Sequence, residues 1–133
     1  MMLSVIPSHP GQPSEVPDEF GQPLDITPDA AQMAALAPQV VDALRTVFDP
    51  EIPVNIYDLG LIYDVLVDAH RRVGIRMTLT APACPAAQTL PGEVREAAKR
   101  VEGVSSARVE IVFDPPWAMD RMTDAAKLQL GLL

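Results

Sequence analysis

Cys84 is the only cysteine in this chain of 133 residues, and it stands in Thr80-Ala81-Pro82-Ala83-Cys84-Pro85. The surrounding pattern reads as the end of a strand followed by the start of a helix. Pro85 suits the first helical position, where a missing N–H costs nothing. The sulfur would then lie beside unsatisfied backbone N–H groups, which favour a thiolate. A thiolate is both a nucleophile and a soft metal ligand. Spacing alone serves a second reading equally well: a small buried filler, the usual state of a free cysteine.

Asp49, Glu51 and Asp58 place three carboxylates in one loop, DPEIPVNIYDLG, whose path is fixed by Pro50 and Pro53. They have the chemistry to bind a metal or orient a thiol. The plainer role, which spacing favours, has Asp49 ending a helix with a turn and Asp58 bonding backbone in the bend before Gly60.

A Cys–His enzyme needs its two side chains within hydrogen-bond reach. His70 precedes the second strand and Cys84 follows it, so roughly 30 Å of strand separates them at ~3.3 Å per residue. The other histidine, His9, lies in the N-terminal tail. With no general base in reach, thiol catalysis is disfavoured and His70 reads as a solvated turn residue. A private cluster or zinc site typically takes four Cys or His ligands, so one cysteine excludes it by count. Any iron or cluster held here is expected to be transient and shared with another chain, a client or a small thiol.

The elements that position these residues follow from periodicity. Residues 1–26 show none, and their prolines deny them helix interior and ladder bonds. They form an acidic, proline-rich tail expected to stay disordered and solvated. Thr27-Pro28-Asp29 looks like a helix start, so residues 27–38 read as a short helix or linker. The domain proper spans 39–133. Val40, Val41, Leu44, Val47 and Phe48 recur at helical spacing. Residues 61–68 alternate, with Tyr63, Val65 and Val67 inward and Asp64 and Asp68 outward. Val73, Ile75, Met77 and Leu79 alternate in a second strand, which pairs with the first as a hairpin.

Leu90, Val94, Ala97, Ala98 and Val101 mark the inner face of a helix over 85–101 that Pro91 either kinks or delays. Ala107, Val109, Ile111 and Phe113 form a third strand, and Thr123 caps a last helix. A strand–helix–strand crossover makes its strands parallel. The expected fold is a two-layer α/β (α+β) domain, order α-β-β-α-β-α, in which a mixed three-stranded sheet carries helices on one face. Four loops then converge at one end of the sheet: Asp49–Gly60, Ala81–Pro85, Asp114–Trp117 and the start of the second core helix.

The chain has 10 basic and 18 acidic residues, a formal net charge of -8. That is the wrong sign for neutralising nucleic-acid phosphates or anionic lipid. No apolar run approaches a membrane span and no charged segment followed by an apolar one opens the chain, so a cytoplasmic location is expected.

Taken together, DPEIPVNIYDLGLIYDV, MTLTAPACP, FDPPW and RMTDAAKLQLGLL resemble the family of small iron–sulfur assembly proteins that contains SufT, the phenylacetate-pathway PaaD proteins and eukaryotic cytosolic relatives. The likeness covers roughly residues 39–133. It implies a small α/β fold and a non-enzymatic role in assembling clusters or maturing client proteins. It places the motif cysteine on Cys84, as transient metal ligand, and the motif acid on Asp58. Asp49 and Glu51 fall in a structural or partner-binding loop, and Asn55, Pro82, Pro85 and Trp117 are its candidate docking residues. PaaD-like members carry further C-terminal cysteines, so the SufT-like branch fits this chain better. Assembly proteins and client apoproteins are the implied partners, and a homodimer is the default assembly. A pure adaptor that docks partners through the loop face is the alternative.

Overall fold

The computed structural model describes residues 18–50, 52–80 and 89–132. Three strands, β1 (Ile62–Val67), β2 (Arg72–Met77) and β3 (Ser106–Ile111), form one sheet in the order β1-β2-β3. β1 and β2 pair antiparallel, and β2 and β3 pair parallel. The helices are α1 (Ala30–Leu44), α2 (Leu90–Lys99) and α3 (Asp124–Gln129). α1 packs on β1 and α2 on β3, with the two helices touching. Val73, Ile75 and Met77 of the central strand meet Val40, Leu44, Leu90 and Val94 in the core, all fully buried. The mixed α/β architecture and element order match those expected from periodicity.

α1 is longer than expected and starts elsewhere. Asp29, not Thr27, is the cap, its carboxylate accepting the Gln32 N–H at 3.0 Å. The helix then runs fifteen residues through Pro38, so the expected short helix and first core helix are one. A mid-helix proline costs roughly 3 kcal/mol. Here Pro38 faces solvent, while Leu36, Val40 and Leu44 continue one buried stripe on either side of it. Burying such side chains is worth about 1.5–3 kcal/mol each, enough to carry the helix across.

α2 shows that Pro91 delays the helix instead of kinking it. The helix begins at Leu90 with Thr89 as cap and proline in its first turn, where no N–H is missed. Pro85 therefore does not open this helix, and the helix-start environment expected for Cys84 has no support from it.

Residues 18–29 form a strap over the sheet, although 18–26 read from sequence as the end of a solvated tail. Phe20 and Ile26 are buried. Arg95 of α2 stacks on the Phe20 ring and pairs with Glu19 at 2.7 Å. The Leu24 N–H donates to Glu110 at 3.1 Å, and a Cβ at Gly74 would lie 2.8 Å from Ile26 Cγ1. Gly74 alternates with Val73 and Ile75, so the strap crosses the face opposite the helices and leaves no room there for a side chain.

Asp68, outward by alternation, is buried. Its carboxylate closes the β1–β2 turn by accepting the N–H groups of His70 and Arg72 and the Arg72 guanidinium at 2.7–2.9 Å. Burial pushes this carboxyl up, but the hydrogen bonds from Arg72 and His70 outweigh it and hold it below its ordinary value of 3.8. The stability it adds is therefore complete above the unfolded carboxylate range, about pH 4, and is lost as pH falls through the lower folded value. Asp68→Ala should cost about 1–3 kcal/mol at neutral pH by orphaning these donors. Urea titrations should find the gap between wild type and variant closing below pH 4.

Candidate functional site

The loop between α1 and β1 is closed at its neck, where Phe48 and Asn55 form a β-bridge and the Ile56 N–H donates to Val47 O at 2.8 Å. Within the neck, Asp49 is buried and its Oδ1 accepts the Ile52 N–H at 3.0 Å. Asp49 thus forms a turn, as spacing favoured, but it does not end a helix, because α1 stops at Leu44.

Beyond the neck, Asn55 and Asp58 clasp each other. Asn55 Nδ2 donates to Asp58 Oδ2 at 2.8 Å, and the Asp58 N–H donates to Asn55 Oδ1 at 2.9 Å. Arg45, just past α1, lies with Nε 3.8 Å from Asp58 Oδ1 and its guanidinium 4.8 Å over the Tyr57 ring. With its side chain 18% exposed and Oδ2 occupied, Asp58 is built to hold the turn more than to offer a free ligand.

The clasp presents a row of backbone carbonyls to neighbouring elements. Asp58 O accepts the Thr123 N–H at 2.9 Å and so anchors the start of α3, where Thr123 also caps Ala126. Leu59 O accepts Trp117 Nε1 at 2.8 Å. Leu61 O accepts the Thr78 N–H at 2.8 Å, tying in the end of β2. Pro53 O accepts Gln129 of α3 at 3.1 Å. Gly60 closes the turn with φ +91°, and a Cβ there would lie 2.5 Å from Arg121 O. Only glycine fits both the backbone angle and the space.

The structure thus brings together Asp49, Asn55, Asp58 and Trp117. Trp117 is half-buried against the core, and its bond to Leu59 makes it a strut of the loop corner. Glu51, Pro82, Cys84 and Pro85 lie outside the described residues. Of the four loops expected to converge, 49–60 and 114–117 do so, the latter joined also by Tyr63 Oη donating to Pro115 O at 2.8 Å. The start of α2 borders the base of the same loop, in a crevice shared with Thr46 and the neck residue Val47. His70 is an exposed turn residue.

Sequence reasoning missed Arg45 and Arg121, and it turned Tyr63 inward, whereas a register shift between Ile62 and Asp64 leaves Tyr63 beside Asp64 and Arg76. Arg121 stacks 4.6 Å over the Tyr63 ring in an open groove of about 870 Å³ that also takes in Tyr57, Arg76 and Asp114. The Asn55–Asp58 clasp had a signal, an Asx side chain three residues before a carboxylate, whereas nothing local marks Arg45 or Arg121. Among the described residues no group of three or more His, Cys, Asp or Glu side chains is arranged to hold a metal ion.

A three-stranded mixed sheet under two helices, with the polar groups of one loop corner spent on bracing it, defines a small α/β domain. The iron–sulfur cluster assembly protein family matches residues 37–111, and the chain belongs to that family. It is 51% identical over 94 residues to an Fe-S protein maturation auxiliary factor of Porphyromonas gingivalis, covering 71% of this chain and 90% of that one. It is 42% identical over 98 residues to the Fe-S protein maturation auxiliary factor YitW of Bacillus subtilis, covering 74% and 96%. A crystal structure of a domain of unknown function from Bacillus anthracis superposes with a TM-score of 0.73 at 35% identity, covering 79% of this chain and all of that one.

Removing the clasp should cost far more than removing its charge. Asn55→Ala leaves a partly buried carboxylate and N–H without partners and is expected to lose about 1–3 kcal/mol. Arg45→Ala gives up a loose, half-exposed ion pair worth about 0–1 kcal/mol. Thermal unfolding of both variants tests this, and equal losses would contradict it.

Proposed function

We propose that this chain is an accessory factor in the maturation of iron–sulfur proteins, in which Cys84 is a transient thiolate ligand to iron or a cluster in transit. The cargo's remaining ligands come from a client apoprotein, a second copy of this chain or a small thiol. The chain acts through assembly proteins and clients in the cytoplasm and catalyses no reaction of its own. It works neither on nucleic acid nor in a membrane. Among the described residues no helix is long and apolar enough to cross one.

The observation that carries this reading is the division of labour at the loop corner. Asn55, Asp58, Gly60 and Trp117 are consumed in bracing, so the corner is a rigid mount with its own polar groups satisfied. The end of β2, which leads to Cys84, is fastened to that mount through Thr78 and Leu61. Two relatives named as maturation auxiliary factors, at 51% and 42% identity, support the biological setting. Asp49 and Glu51 belong on this reading to the loop that partners meet.

The adaptor reading draws on a different observation. Phe48 and Leu128 are 52% and 67% exposed, on two segments that flank the same loop, as an apolar docking surface would be.

Cys84→Ser separates the two. Serine keeps the size and loses the soft ligand. On this reading the variant is expected to unfold within about 1 kcal/mol of wild type, well short of a core defect, yet to fail in supporting client enzymes in a complementation assay. Normal support would leave the adaptor alone standing. The chain purified anaerobically should carry no stable cluster, and a monomer with stoichiometric iron and sulfide would defeat the shared-ligand account.

A further inference from the structure

Residues 18–28 are held to the sheet as a separate peptide would be. Among the described residues none of their backbone groups bonds the backbone of a strand, and the first such bond runs from the Asp29 N–H to Val67 O at 2.8 Å. Side chains do the holding. Phe20 and Ile26 are buried, Leu24 is partly so, and Glu19 pairs with Arg95, while one backbone N–H, that of Leu24, reaches the Glu110 carboxylate. Gly74 makes the seat. Its backbone has no left-handed angle that needs glycine, yet a Cβ there would lie 2.8 Å from Ile26 Cγ1 and 3.1 Å from Leu24 Cδ1. The outer sheet face is a groove shaped for an extended segment lying across it.

Charge decides which kind of segment. Residues 18–29 carry Asp18, Glu19, Asp25 and Asp29, and no Lys or Arg precedes Arg45. Beneath them, in a chain of net charge -8, lie arginines: Arg72 and Arg76 share the face of Gly74 by alternation, and Arg108 pairs with Gly74 in register. Asp25 shares a crevice with Arg72, and Glu19 and Phe20 share another with Arg95 and Arg108. Arg72 is bonded to Asp68, and Arg76 is bridged to Asp64 and Glu110. The face has two guanidinium groups left for a ligand. Arg95 has its short pair with the strap's own Glu19, and no carboxylate of the described residues pairs with Arg108. Guanidinium groups beside apolar seats select carboxylates and repel a basic segment.

We propose that this face is a docking groove for an acidic, extended segment of another protein, with residues 18–29 as its resident placeholder. The incoming segment sets an aromatic and two aliphatic side chains where Phe20, Leu24 and Ile26 lie, and its carboxylates meet Arg95 and Arg108. The strap is tethered at Asp29, so it competes at an effective concentration on the order of mM, and a partner enters by gripping harder. The groove uses no residue of the loop corner and takes its segment whatever Cys84 holds.

A fluorescein-labelled peptide with the sequence of residues 18–29 is the probe, titrated with the full-length chain. Wild type should bind it weakly, because its own strap fills the groove. Phe20→Ala with Leu24→Ala loosens the strap, leaves the groove intact and should tighten peptide binding by about 10-fold or more. Glu19→Lys, an exposed change outside the core, should tighten it by about 2–5-fold. Adding Arg108→Glu to either variant should abolish the gain, and a peptide with Glu19→Gln and Asp25→Asn should lose most of it. Loosened variants that fold and bind the peptide no better than wild type overturn the proposal. Loss of folding in the Phe20, Leu24 variant overturns it as well, since the strap is then part of the core. A wild-type dimer that Glu19→Lys takes apart also overturns it, because the occupant is then the strap of a second copy.

Discussion

The reciprocal hydrogen bonds between Asn55 and Asp58 are the constraint on which the functional end of the molecule depends. They fold the chain back on itself tightly enough that the carbonyls of Asp58, Leu59 and Leu61 face away from the turn, and each is taken by a different element: the start of α3, Trp117 and the end of β2. Backbone carbonyls buried in such a corner need partners, and an amide clasp two bonds strong selects which ones they get. Asp58 thus matters through the shape it imposes. A carboxylate placed for coordination would be left open on at least one side, and here Asn55 occupies one oxygen while Arg45 approaches the other.

Set beside this corner, the sheet is conventional in its energetics. Val73, Ile75 and Met77 line the buried face of the central strand, and the opposite face is charged, with Arg76 bridging Asp64 and Glu110. That face is not wholly charged, since Leu66 pairs with Gly74 on it, and Leu24 and Ile26 of the strap lie over Gly74. Further contacts fasten the strap: Glu110 with Leu24, and Arg95 with Glu19 and Phe20. The family match covers residues 37–111, and the strap lies outside it.

Much of this was legible in the sequence, because the signals involved are local. Alternation in 61–68 and 73–79 and the stripe through Leu90, Val94 and Ala98 are period-two and period-3.6 patterns, and they reappear as strands and a helix of nearly the expected extent. The misreadings share a cause, which is long-range packing overruling a local preference. Pro38 reads as a boundary until Leu36 and Leu44 are seen buried on one stripe. Phe20 and Ile26 read as tail until β3 and Gly74 are beneath them, more than forty residues away in sequence. Asp68 reads as outward by alternation until the turn that it closes is known. At the functional end, motif and spacing found Asn55 and Asp58 but not that they bond each other, and Arg45 carried no local mark at all.

The strap's contacts also set an order of events at synthesis. Leu24 bonds a carboxylate 86 residues further along the chain, and Glu19 a guanidinium 76 residues further. Ribosomes deliver a protein from its N-terminus, so the strap emerges first and its seat last. Until β3 has been made and has paired with β2, the part of the strap that Glu110 holds has no seat, whereas Ile26 and Asp29 meet Gly74 and Val67, which are made earlier. Closing loops of that length adds little cost beyond that of shorter ones, and the sheet can assemble without waiting for it. The stretch from Glu19 to Leu24 is therefore the last of the strap to lock. The growing chain passes through a form in which Glu110 is bare until Leu24 comes to it.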